Sequence, residues 1–332
     1  CRTAITFVYV CFMTPLVAFF KLLRPLNLLI IAFTMYAMRW GVLYGLLEKK
    51  QYYPPLQYPE WKFALAVLMM VLLAGSGNLI NDYFDVRVDR VNKPNRVLVG
   101  RQIKRRVVIV AHHALNIIAT LTGLYLAYDV HYWPLVFVPI GIAAMLWFYS
   151  LKLKKEVFIG NFSIALIVAI VPLWAGIFEI PQISQLLHLT GGSEDTLHNE
   201  MWIWMVGYSI FAFLLTLLRE VFKDMEDIEG DSKEGFQTIP IAWGLKRTKV
   251  YIGIIFFAVL AMILNSTYYI LSALTSAEWR TIFITMLTIG VIIPLLMSWR
   301  VIFNAVEKEG RLAKLTMAGG ILIGALLPYW FH

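Results

Sequence analysis

Residues 62–96 read KFALAVLMMVLLAGSGNLINDYFDVRVDRVNKPNR. From Phe63 to Ile80 the only side chains with a polar group are Ser76 and Asn78. Such a run, wound as a helix, is long enough to cross roughly 30 Å of hydrocarbon. It then meets Asp82, Asp85 and Asp89 in quick succession. The stretch therefore reads as an apolar helix that ends in carboxylates, and that combination sets the reading of the whole chain.

The rest of the sequence repeats the apolar theme. Of the 332 residues 60% are hydrophobic and 15% charged, and the mean hydropathy is +0.70. Soluble domains carry roughly 45–50% apolar and about 25% charged residues. Lipid admits only helices or closed barrels, and uninterrupted apolar runs do not fit the alternating pattern of a barrel. The predicted fold class is an all-α membrane protein with nine transmembrane helices. The spans fall at roughly 26–46, 62–83, 107–127, 131–151, 157–177, 201–222, 249–271, 280–302 and 313–331. Residues 1–332 read as a single membrane domain. Within it, 1–25 form an interfacial N-terminal helix, interrupted by Pro15 and Lys21, and 26–331 form the bundle. The two cysteines, Cys1 and Cys11, suggest no disulfide framework. The longest polar connection is expected at 178–200, from Glu179 to Glu200.

Charge placement orients the chain. Twenty-four of the 29 Lys and Arg residues fall at the N-terminus and in the connections after even-numbered spans. By the positive-inside rule that side is cytoplasmic. The net charge of +8 is then mostly topological and does not call for nucleic acid.

Two helix ends carry the chemistry. In the first, Asn81, Asp85 and Asp89 lie at i, i+4, i+8 and line one helix face. The second reads REVFKDMEDIEGD over 219–231, where Asp224, Asp227 and Asp231 lie at i, i+3, i+7. A charged side chain at the bilayer centre costs about 2.5–3.5 kcal/mol on insertion scales. Two like charges about 4 Å apart add roughly 4 kcal/mol of repulsion at an effective dielectric of 20. A hard cation relieves both, and Mg²⁺ binds through one or two carboxylates plus substrate phosphate oxygens. The paired clusters thus read as a Mg²⁺–diphosphate clamp, with Arg96, Lys152 and Lys154 as candidate diphosphate ligands. Solvated charge at a membrane surface is the plain alternative for either cluster alone. His112-His113 lacks further ligands for a zinc site, and Asn161 reads first as an interhelical hydrogen-bond partner.

The stretch Asn81-Asp82-Tyr83-Phe84-Asp85 through Asp89, followed by Asn95-Arg96, resembles the first signature of the UbiA superfamily of intramembrane prenyltransferases. Lys223-Asp224 through Asp227-Ile228-Glu229-Gly230-Asp231 resembles the second. Arg24, Pro25 and Asn27, and Tyr149-Ser150 with Lys152 and Lys154, are also similar to that family. The resemblance implies a nine-helix bundle with a polar cavity facing the cytoplasm. It implies catalytic roles for Asp85, Asp89, Asp227 and Asp231, and metal ligation by Asn81, Asp85, Asp89, Asp224, Asp227 and Asp231. It also implies diphosphate contacts from Asn81, Arg96, Lys152, Lys154, Arg24 and Asn27. The implied partners are a prenyl diphosphate donor, a lipophilic acceptor and membrane lipid, with no nucleic acid and no protein partner. The acceptor expected first is geranylgeranylglyceryl phosphate, and an aromatic quinone precursor second. A cation transporter is the competing class, but its carboxylates belong along a mid-membrane path. Here they gather at helix ends.

Overall fold

The computed structural model describes residues 15–49, 56–190, 194–274, 276–299 and 309–330. Among these, regular structure is helical and no strand is present. In chain order the helices are α1 (Pro15–Leu23), α2 (Pro25–Glu48), α3 (Glu60–Phe84), α4 (Val86–Asn92), α5 (Arg105–Asp129) and α6 (Trp133–Leu151). They continue with α7 (Ile159–Thr190), α8 (Glu194–Glu226), α9 (Ile228–Lys233), α10 (Ile239–Ala273), α11 (Ala277–Ser298) and α12 (Glu309–Ala325). Eight helices, α2, α3, α5, α6, α7, α8, α10 and α11, are long and apolar enough to cross a membrane. The ninth predicted span corresponds to α12, whose 17 residues reach about 25 Å.

Six of these helices close a ring. α3 packs on α2 and α6, α6 on α7, α7 on α8, α8 on α12, and α12 back on α2. The closure between α12 and α2 requires glycine. A Cβ added at Gly41 would lie 2.2 Å from the carbonyl oxygen of Gly324. Gly320 and Gly324 face Phe211 and Tyr208 of α8, so the small residues of α12 serve close helix packing.

The sequence places a polar connection at 178–200, and the structure corrects it. α7 runs on to Thr190 and α8 begins at Glu194. Glu179 lies fully buried inside α7 because it meets Arg39 of α2, also buried, with 3.2 Å between Arg39 Nε and Glu179 Oε2. Arg39 donates further to Glu60 at 2.9 Å and to the Tyr58 carbonyl. Glu179 accepts the backbone N–H groups of Gln57 and Tyr58. A paired and hydrogen-bonded carboxylate can stay in a membrane helix where a lone one cannot. The sequence shows no partner nearby, because the partner stands 140 positions away.

Of the segment 1–25 expected as an interfacial helix, Pro15–Leu23 forms the helix α1, and residues 1–14, with Cys1 and Cys11, lie outside the described residues. Leu16, Val17 and Phe20 are exposed, whereas Ala18 and Leu22 pack beside Leu79, Val86 and Val97. Arg24 takes a left-handed conformation (φ 55°, ψ 63°) that separates α1 from α2, and Pro25 starts α2 with its φ already suited to a helix.

The ends of α3 and α8 lie together, and the α5–α6 turn lies at the far end of the bundle. Single cysteines at Asn95, Ser232 and Tyr132, in a background lacking Cys1 and Cys11, test this with a membrane-impermeant thiol reagent. Tyr132→Cys is expected to label on intact cells, and Asn95→Cys and Ser232→Cys only after the membrane is opened. Labelling of Asn95→Cys and Tyr132→Cys from the same side would contradict the arrangement.

Candidate active site

The two signatures fold in the same way. α3 stops at Phe84 and α8 at Glu226, and the next residue in each case is an aspartate, Asp85 or Asp227. Both sit near ψ 0° (φ −81°, ψ −1° and φ −101°, ψ 6°), a conformation that turns the chain without leaving the helical hydrogen-bond pattern. A short helix then carries Asp89 or Asp231, four residues on. The backbone N–H of Asp89 donates to the Asp85 carbonyl at 2.8 Å, and that of Asp231 to the Asp227 carbonyl at 3.1 Å.

Asn92 joins the two short helices. Its side-chain amide donates to the Asp227 carbonyl at 3.2 Å, and its Oδ1 accepts the Gly230 N–H at 2.9 Å. A Cβ at position 230 would fall 2.4 Å from that oxygen, so the glycine of the second signature is what lets α4 approach α9. The lysine one residue further, Lys93, donates to both carboxylate oxygens of Asp227 at 2.7 Å. The clusters expected on separate helix ends therefore face one another.

Three further acids, Asp82, Asp85 and Asp224, have protein partners. Lys154 pairs with Asp85, whose other oxygen accepts the Asn81 amide at 2.7 Å. Arg24 holds Asp82 at 2.6 Å. Asn161 of α7 donates to Asp224 at 2.8 Å, a hydrogen-bond role of the kind its sequence position suggested. Asp231 is buried and Asp89 half-buried. Lys152 lies exposed, so of the two candidate lysines after α6 it is Lys154 that reaches an aspartate. Arg96 closes a short 3₁₀ turn, Pro94–Arg96, and its side chain lies outside the described residues. His112 Nδ1 donates to the Ser76 carbonyl at 2.9 Å and Nε2 accepts from the Asn116 amide at 3.0 Å, a helix-packing role.

Behind the acids opens a cavity of about 230 Å³ between α2, α3, α6, α7, α8 and α12. Its mouth is polar, with Asn81, Tyr149, Arg219, Glu220, Lys223 and Lys314. Its depth is apolar and ends among Met70, Ile142 and Val171. Asn27 lines the wall and accepts from Lys314 at 3.0 Å. Sequence reasoning missed Asn92, the Lys93–Asp227 pair and the place of Lys314. The one signal for them is local: Asn92 and Lys93 sit one turn past Asp89, where a second short helix would meet them.

The oxygen-only donor set suits a hard divalent ion. Among the described residues no three acidic or histidine side chains converge on one point. Instead Lys154 and Lys93 supply positive charge at Asp85 and Asp227. An ion that takes one or two carboxylates and completes its shell from phosphate oxygens fits such an arrangement.

Burial, reinforced by the neighbouring Asp85 and Asp82, pushes the Asp89 carboxyl up to about 6. Burial and the neighbouring Asp227 do the same to Asp231, also to about 6. Both groups thus hold protons below that pH, and a metal must displace them. Mn²⁺ affinity, followed by electron paramagnetic resonance, is expected to weaken as pH falls through 6, by up to roughly tenfold per unit for each proton displaced. The metal-free protein has the opposite dependence: its thermal stability should decline as pH rises from about 4 to about 6, because the folded state holds these protons more tightly than the unfolded chain, and it should recover on adding metal. An affinity that stays flat between pH 5 and 7.5 would contradict this.

The UbiA prenyltransferase family model matches residues 38–319. The chain is 32% identical over 240 residues to digeranylgeranylglyceryl phosphate synthase of Thermococcus sibiricus, covering 72% of each protein. It is 34% identical over 247 residues to the synthase of the same name from Pyrococcus abyssi, covering 74% of this chain and 75% of that one. The fold matches that of a UbiA homolog from Archaeoglobus fulgidus bound to GPP and Mg²⁺, with a TM-score of 0.59 at 15% identity over 94% of this chain and 99% of that one. The helix-end aspartates, the ring around a cavity and these likenesses agree: this chain belongs to the UbiA prenyltransferase family.

Proposed function

We propose that the protein transfers a prenyl group, geranylgeranyl first among candidates, from its diphosphate to the hydroxyl of geranylgeranylglyceryl phosphate. The observation that carries the reading is the pair of aspartate-bearing helix breaks, joined through Asn92 and Lys93, at the mouth of an apolar cavity. The names of the two synthases support the acceptor. The A. fulgidus homolog, solved with GPP and Mg²⁺, supports the donor class and the ion.

Asn81, Asp85 and Asp89 from one break and Asp227 and Asp231 from the other would hold Mg²⁺, with Asp224 behind them. Bound there, the ion would neutralise the leaving diphosphate as a Lewis acid. Lys154, Lys93 and Lys223 stand ready to take non-bridging oxygens as point charges, and burial pulls the Lys154 ammonium down against the opposing pull of Asp85. The allylic C–O bond breaks and the electron pair leaves with diphosphate. The acceptor hydroxyl oxygen forms the new C–O bond, and its proton passes to the departing diphosphate. Apolar walls reaching Met70 and Val171 keep water from competing for the allylic cation. The positive-inside bias supports a multi-pass protein of the cell membrane, with the mouth open to the cytoplasm where a soluble donor head is delivered.

The test is turnover of purified protein with radiolabelled geranylgeranyl diphosphate, Mg²⁺ and a panel of acceptors. Transfer to geranylgeranylglyceryl phosphate is expected to stop with EDTA and return with Mg²⁺ or Mn²⁺. Asp85→Asn and Asp227→Asn should each lose at least about a hundredfold in kcat with little loss of thermal stability. Transfer only to an aromatic acceptor would favour the quinone-precursor reading, and full turnover without metal would sink the clamp.

A further inference from the structure

The cavity wall carries more positive charge than the acids at its mouth account for. Four cations line it, Arg24, Arg219, Lys223 and Lys314, against a single carboxylate, Glu220. Three of them have acidic company. Arg24 is paired with Asp82, Arg219 with Glu220, and Lys223 lies within electrostatic reach of Glu220 and Asp85. Lys314 differs. It is half-buried on α12, and its hydrogen-bond acceptor among the described residues is the neutral Oδ1 of Asn27 at 3.0 Å. Its charged neighbours are Arg219, Arg24 and Glu220, two cations and one acid.

With Asp82 and Glu220 already paired to Arg24 and Arg219, the half-buried ammonium beside them gains from a further anion. That anion is not required to be the donor diphosphate. Lys93, Lys154 and Lys223 already serve the aspartate side, built from α3, α4, α6, α8 and α9. Lys314 stands on α12 beside α2, on the wall formed by Asn27 and Arg219, and Met317 continues the same wall one turn deeper. A ligand seated there places a charged head at the mouth and its hydrocarbon along the cavity.

We infer that Lys314, with Arg219 and Asn27, forms a second anion site that receives the phosphomonoester head of the acceptor lipid. This deepens the acceptor reading proposed above and rests on it. The site would hold the acceptor phosphate apart from the diphosphate, so that two anionic heads enter one mouth without meeting. It would also make the enzyme choose a phosphorylated acceptor over its alcohol.

The experiment compares kcat/KM for geranylgeranylglyceryl phosphate and for dephosphorylated geranylgeranylglycerol, in wild type, Lys314→Gln and Lys314→Arg. Glutamine keeps a donor for Asn27 and removes the charge. The preference for the phosphorylated acceptor is expected to fall at least about tenfold in Lys314→Gln and to be largely retained in Lys314→Arg. The donor KM should move less than about twofold, which also reports that the variant is folded. If wild type uses the phosphorylated acceptor and Lys314→Gln keeps the full preference, the inference fails alone. It fails alone, too, if the donor KM rises in step, because Lys314 then belongs to the diphosphate site. If wild type refuses the phosphorylated acceptor and prenylates another, the acceptor reading fails and this inference with it.

Discussion

A carboxylate at the end of a membrane helix must find positive charge, and this constraint organises the protein. Asp82, Asp85 and Asp227 are each held by a cation from another segment, Arg24, Lys154 and Lys93. Each of these contacts ties one helix end to another. Together they fix α2 against α3, the α6–α7 connection against α3, and α4 against the start of α9. The acids that make the site expensive are thus the groups that assemble it. At the far end of the bundle the same rule operates with no catalytic purpose, where Arg39 and Glu179 meet in full burial and lock α2 to α7.

The two aspartate ends look like two uses of one solution. A long helix stops, an aspartate near ψ 0° turns the chain, and a short helix presents a second aspartate four residues later. Position 81 in the first is asparagine and position 223 in the second is lysine, so the halves are not electrically alike. The first half offers an additional amide oxygen, while the second places a cation facing the cavity. A diphosphate bound between them would meet carboxylate-held metal on one side and ammonium on the other. That asymmetry gives the leaving group a direction.

Much of this is legible in the sequence because it is periodic or compositional. The nine apolar runs fall where the helices lie, and the i, i+4, i+8 spacing picks out Asn81, Asp85 and Asp89. Pairings across the chain are not legible. Nothing near Glu179 announces Arg39, so α7 reads as ending early. Lys93 looks like one of many topological cations until α4 is seen against α9, and Gly230 looks like a loop residue until Asn92 is found where its Cβ would be. Lys152 and Lys154 are equivalent in the sequence, and only the turn after α6 sends one to Asp85 and leaves the other exposed. Local pattern sets where the charges are, and the ring of helices decides which of them meet.

The central claim is that the two clusters act on one bound diphosphate. A double-mutant cycle tests it most directly. Mn²⁺ affinity is measured by electron paramagnetic resonance in the presence of a non-ionisable prenyl thiolodiphosphate, for wild type, Asp85→Asn, Asp227→Asn and the double variant. A shared site predicts that each single change removes most of the affinity, and that the double change costs less than the sum, with a coupling of about 1 kcal/mol or more. Strictly additive losses, with each cluster titrating its own ion, would contradict it.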